Sequence, residues 1–171
     1  LMPGTFVEFS FADDKLINHG SSHFWKPIIT DEITNLNSAT ELITEAITSS
    51  IGDGMNASID VACLFSGGVD SSLIFSNARK INKNIAAITA DFGEGDDAKL
   101  RSLSLAEALK HENHLIREIS NNDVEDSLKL ISEICESPFD DTSIIPSNIV
   151  FESVKRSGYS VALTGDGADE L

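Results

Sequence analysis

Ser66, Gly67, Gly68, Asp70, Ser71 and Ser72 stand between a short apolar run and an amphipathic one, and their types suit phosphate chemistry. Three small residues let backbone N–H groups lie against a ligand, and the start of a following helix adds the positive end of its dipole. Asp70 is the odd member, because a carboxylate repels phosphate. A divalent cation between the two resolves the conflict, since Mg²⁺ takes one or two carboxylates together with phosphate oxygens. The spacing excludes two commoner phosphate loops. No lysine follows the glycines as G-x-x-x-x-G-K-[ST] requires, and Gly67-Gly68-Val69-Asp70 does not supply G-x-G-x-x-G. A second stretch, Thr164-Gly165-Asp166-Gly167-Ala168-Asp169-Glu170, repeats the theme: an apolar run ends in small residues interrupted by acids.

The elements that position these residues follow from periodicity. Ile59, Val61, Cys63 and Phe65 read as a buried strand, and Leu73, Ile74, Ala78 and Ile81 as one face of the next helix, with Ser71 or Ser72 as its cap. Further strands are predicted at Ile85–Ala90, His114–Ile119 and Tyr159–Thr164. Between them, helices are predicted from about Asp97 to Leu109 (face Leu100, Leu103, Ala106, Leu109), around Val124, Leu128, Ile131 and Ile134, and over Ile144–Val154. An earlier helix, from about Asn37 to Ile51, is expected to end at Gly52-Asp53-Gly54. Strand and helix alternate, which predicts right-handed crossovers and an α/β, Rossmann-like parallel sheet with helices on both faces. The ligand crevice then belongs at the ends of the strands finishing at Phe65 and Thr164. Residues 1–30 read as a linker with a small hairpin, Thr5 to Ile17 turning at Asp13-Asp14, and residues 31–171 as the body. His19 and His23 are expected in a solvent-facing loop before Trp25.

Composition narrows the function. Lys+Arg 12 against Asp+Glu 28 gives a net charge of −16, which disfavours nucleic acid and anionic membranes as partners. Cys63 and Cys135 form no C-x-x-C pair, so neither a disulfide framework nor a zinc site is indicated. No apolar stretch reaches membrane-spanning length and no signal peptide is visible, so a cytoplasmic protein is the default. Glu94, Asp96 and Asp97 read as helix-start acids rather than a metal site.

The run S-G-G-V-D-S-S resembles the PP-loop of the ATP pyrophosphatases. Combined with T-G-D-G-A-D-E-L and the preceding P-F-D-D-T-S-I-I-P, the chain resembles the synthetase domain of glutamine-hydrolysing asparagine synthetases. The resemblance implies an adenine nucleotide α-hydrolase-like fold that binds ATP and Mg²⁺. Ser66, Gly67, Gly68, Asp70 and Ser71 would hold the pyrophosphate and its metal, with Leu64 beside the nucleotide and Thr164 and Gly165 touching it from the second loop. Asp169 would be the second metal carboxylate. Asp166, where many members carry Glu, would take part in forming the acyl-adenylate. The implied substrates are ATP, aspartate or a related acid, and ammonia from glutamine, with a glutaminase domain in the full-length chain and a homodimer left open. Asp140, Asp141, Thr142 and Ser143 suit either substrate recognition or capping of the helix that follows.

Alternatives are a β-lactam synthetase-like or GMP synthetase-like ligase, a non-catalytic nucleotide-binding module, or a degenerate structural domain. Leu1 and Leu171 read as cut ends, so the fold is expected to be truncated at the C-terminus. The family's N-terminal cysteine and its lysine downstream of the second loop have no counterpart here. This chain alone is therefore expected to bind nucleotide without making amide.

Overall fold

The structure is a computed structural model that describes residues 1–28, 33–56, 59–93, 95–135 and 140–167. The chain divides into two compact units, Leu1–Thr40 and Glu41–Leu171. In the first, β1 (Thr5–Ala12) pairs antiparallel with β2 (Lys15–His23). Asp13 and Asp14 both have positive φ, 51° and 57°, the two-residue turn whose twist matches that of paired strands. The hairpin is longer than the sequence suggested: the polar residues Asn18–His23 belong to β2 rather than to a loop. They pair through backbone groups, which the apolar pattern does not register. His19 stays exposed and its Nε2 lies 2.7 Å from Ser10 Oγ.

The second unit holds the sheet. Most of α1 (Leu36–Met55) belongs to it, followed by β3 (Val61–Leu64), α2 (Val69–Ile81), β4 (Ala86–Asp91), α3 (Ala98–Ala108), β5 (His114–Glu118), α4 (Asn121–Ile134), α5 (Ile144–Arg156) and β6 (Val161–Leu163). The order is β5-β4-β3-β6 and every pairing is parallel. Side-chain alternation sorts the core onto two faces. Cys63, Phe65 and Ala87 pack with Ile51 of α1, Phe75 and Ala78 of α2, and Ala106 of α3. Ala62, Ala86 and Ile88 point the other way, onto Val154 of α5. The expected α/β sheet with helices on both faces is what forms. Cys63 is a core residue, its thiol pushed up to about 12 by burial. No described helix is long and apolar enough to cross a membrane.

Three helix expectations need correction. α1 runs through Gly52 and Gly54 to Met55 instead of stopping before them. α3 does not bury the Leu100–Leu103 side, where those residues are 65% and 43% exposed; it buries Ala98, Ser102 and Ala106. α4 likewise buries Ser127 with Ile131 and leaves Leu128 and Ile134 outward. In both, a small hydroxyl residue permits an approach that leucine would block. Ser127 Oγ donates to the Ile145 carbonyl at 3.4 Å and accepts from Asn148 at 3.0 Å. Ser120 opens α4 with a capping box shared with Asp123, the reciprocal pairing that satisfies two orphan N–H groups.

Phe75 is the anchor of the larger cluster, fully buried with its ring 4.4 Å from Phe65 and 4.8 Å from His111. Phe75→Ala is expected to lower the unfolding free energy by about 3–5 kcal/mol in urea titrations. A loss below about 1 kcal/mol would show that the cluster does not hold the sheet.

Candidate active site

Order β5-β4-β3-β6 places the direction change of the chain at β3, between β4 on one side and β6 on the other. That switch point is where a parallel sheet opens a crevice beyond its carboxyl edge. The crevice here has a volume of about 460 Å³, within the range of small-molecule sites. Leu64, Ser66, Gly68, Asp70 and Ser71 line it from the first loop, and Thr164, Gly165 and Asp166 from the second. The two stretches singled out in the sequence thus face one another.

Their contact is close. A Cβ on Gly165 would lie 2.9 Å from Asp70 Cβ and 3.2 Å from Ser71 N, so a side chain there would displace the first turn of α2. Gly67 departs from expectation. It does not line the crevice; with φ +73° it turns toward α3, and a Cβ would lie 2.6 Å from both Arg101 Cβ and Ser102 N. Its small size serves packing behind the loop rather than ligand approach in front of it. Asp169 lies outside the described residues, as does Glu94.

Within the first loop, Gly68 is the N-cap of α2 and has no side-chain cap, so neither Ser71 nor Ser72 plays the part assigned to it. Ser71 instead donates to the Gly68 carbonyl at 3.2 Å and lies 3.0 Å from Ser66 Oγ. The first N–H to bond back is that of Ser72, to Gly68 O at 3.0 Å, and the N–H groups before it are left at the helix end. These orphan donors and the dipole favour an anion. The half-buried Asp70, in the first turn, is the described carboxylate best placed to share a cation with that anion. Among the described residues no group of three or more His, Cys, Asp or Glu converges. A carboxylate beside helix-end N–H donors fits a divalent cation whose coordination is completed by phosphate oxygens and water.

Several lining residues were not singled out from sequence: Thr89, Ala90 and Phe92 at the end of β4, Arg101 on α3 and Val150 on α5. The switch-point rule could have found the β4 residues, because that strand ends beside β3. Asp96 also lines the crevice, but its two oxygens accept the N–H groups of Ala98 at 2.9 Å and Phe92 at 3.5 Å. The helix-start reading holds for it. Asp141 accepts the N–H of Ser143 at 2.9 Å at the start of α5, and the Ser143 hydroxyl, with that N–H, holds its carboxyl below the usual range.

Thr89 ties the loop to the sheet. Phe65, one residue beyond β3, donates its N–H to Ile88 O at 2.8 Å and accepts the Thr89 hydroxyl at its carbonyl. Having donated its one proton, the Thr89 oxygen accepts from His114 Nε2 at 2.8 Å, which fixes the imidazole tautomer. Burial, and then His111 nearby, hold His114 below its ordinary pKa.

A parallel sheet with helices on both faces and a small-residue turn into a helix at its switch point defines an α/β, Rossmann-like domain. Residues 42–171 match the family described as asparagine synthase, and the chain belongs to that family. It is 31% identical to asparagine synthetase [glutamine-hydrolyzing] 1 of Bacillus subtilis (strain 168) over 86% of this chain and 22% of that protein. It is 27% identical to a putative asparagine synthetase [glutamine-hydrolyzing] of Mycobacterium bovis over 92% and 24%. The chain thus spans about a quarter or less of the curated relatives it matches. Among solved structures it is similar to a glutamine-dependent NAD+ synthetase from Acinetobacter baumannii in complex with ADP, with 14% identity, 88% of this chain, 28% of that chain and a TM-score of 0.46.

Thr89→Val leaves the Phe65 carbonyl and the His114 N–H without their partner and is expected to cost about 1–3 kcal/mol in chemical denaturation. Thr89→Ser should recover most of it, and a Thr89→Val protein as stable as the unsubstituted one would show that the hydroxyl does not matter. Because the folded pKa of His114 is depressed, its neutral form contributes fully above the ordinary value of 6.5. That contribution is lost as pH falls through the folded value. Melting curves should show this acid limb, and His114→Gln should flatten it.

Proposed function

We propose that this chain is the nucleotide-binding part of a synthetase domain that activates a carboxylate with Mg-ATP for amide formation. Membership of the asparagine synthase family supports the reaction class, and the meeting of two Gly- and Asp-bearing strand ends in one crevice is the observation that carries the reading. In this reading the β- and γ-phosphates lie on the free N–H groups at the start of α2, with Ser66 and Ser71 beside them. Leu64 flanks the nucleotide on the floor of the crevice, and Thr164 and Gly165 bound it from the β6 side. Asp70, with Asp169, holds Mg²⁺, which when bound would neutralise charge on the departing pyrophosphate.

The reaction proposed is attack of the acceptor carboxylate, aspartate or a close relative, on the α-phosphorus. The bond to the bridging oxygen breaks and pyrophosphate leaves, giving an acyl-adenylate. Ammonia, delivered from glutamine by a glutaminase domain, then displaces AMP and leaves an amide. Asp166, exposed at the second loop and lining the crevice, takes part in forming the acyl-adenylate in this reading. Helix-end donors already oriented toward the pyrophosphate need no reorganisation as negative charge develops, which is where electrostatic stabilisation is most effective.

Calorimetry with Mg-ATP should show Asp70→Ala weakening binding by roughly tenfold or more, the value of a charged interaction lost. Asp97→Ala, outside the crevice, should leave it unchanged; equal effects would refute the two-loop site. In the full-length protein, aspartate-dependent release of pyrophosphate with ammonium as nitrogen donor tests the chemistry. Release that ignores the acid supplied would refute carboxylate activation, and dependence on a different acid would reassign the substrate.

A further inference from the structure

The crevice is lopsided in charge. Asp70, Asp96 and Asp166 line it against one basic residue, Arg101, in a chain of net charge −16. A polyanion entering such a site meets repulsion that has to be offset locally. Lys99, the other cation on this part of α3, is already engaged, 2.7 Å from Asp91 and 3.2 Å from Glu118.

The arginines of the chain divide cleanly. Arg79 donates to the Leu109 carbonyl at 2.7 Å, and Arg117 and Arg156 pair at 2.7 Å with Asp123 and Glu152. Arg101, the remaining one, is exposed and has no ion pair or side-chain hydrogen bond among the described residues. Asp96, its acidic neighbour in the crevice, already accepts two backbone N–H groups.

Its position is fixed by the loop itself. The space a Gly67 Cβ would need is taken by Arg101 Cβ and Ser102 N, each 2.6 Å away. The stem of Arg101 therefore starts against the back of the phosphate loop, and the side chain is long enough to reach over its rim. A guanidinium stays charged at any working pH and presents a planar fork of donors that matches phosphate oxygens.

We propose that Arg101 binds the pyrophosphate end of the nucleotide, reaching from α3 over the loop Ser66–Ser71 to offset the acidic lining. This rests on the Mg-ATP reading given above. Because Gly67 belongs to the loop and not to the strand, the contact falls on the terminal phosphates and spares the nucleoside.

The test is calorimetry on the full chain with Mg-ATP, Mg-pyrophosphate and AMP, comparing the unsubstituted protein with Arg101→Ala and Arg101→Lys. Both substitutions are at an exposed site, and urea midpoints verify that each variant is folded. Arg101→Ala is expected to weaken Mg-ATP and Mg-pyrophosphate roughly tenfold or more while leaving AMP unchanged. Arg101→Lys, which keeps the charge and loses the fork, should fall between. Unchanged Mg-ATP affinity in Arg101→Ala overturns the proposal, and so does an equal loss for AMP, which would mean a general effect on the site. Failure of the unsubstituted protein to bind Mg-ATP would instead remove the nucleotide reading on which it stands.

Discussion

Backbone packed directly on backbone, with no side chain between, is the constraint around which this domain is arranged. At Gly67 the loop lies against the Arg101–Ser102 segment of α3, and at Gly165 the β6 loop lies against Asp70 and Ser71. The third tie is the Thr89 hydroxyl, which holds the Phe65 carbonyl just before the loop begins. Three segments from distant parts of the sequence thus press on the stretch Phe65–Ser71. A loop clamped this way keeps its N–H groups aimed without help from a ligand, which is the preorganisation that electrostatic catalysis exploits.

Much of this was legible in the sequence because the signals were local. The small residues Gly67, Gly68 and Gly165 mark the two loops, the apolar runs mark buried strands, and strand–helix alternation marks the parallel sheet. What escaped notice was packing by small polar residues. Ser102 and Ser127 carry no apolar signal, yet both are buried where helices must come close. The leucines beside Ser102 then looked like the inner face by default. Arg101 was overlooked for the same reason, since its relation to the loop follows from which side of α3 faces inward. β2 was cut short because backbone pairing in a hairpin needs no apolar alternation.

The acids show how one residue type takes different parts. Asp96 and Asp141 are bound up in backbone N–H contacts at helix starts, and Asp123 closes a capping box. Asp70, by contrast, sits in the first turn of α2 where a helix carboxylate is electrostatically at ease, and still borders the crevice. Position relative to the helix end, more than residue type, separates structural acids from those free to meet a ligand.

The pairing of β3 with β6 carries a consequence for how the domain comes together. Val61 pairs with Val161, a hundred positions further on, whereas β3 and β4 are joined by a single helix. During synthesis the first loop and its helix emerge long before the strand that completes the crevice, so early compact forms have only one wall. β6 is three residues long; besides its pairing with β3, Leu163 packs against the Ile51 cluster and Ala162 against the Val154 cluster, and Gly165 beyond it meets α2. A ligand spanning both walls would act as a clasp, its affinity and the docking of β6 rising and falling together.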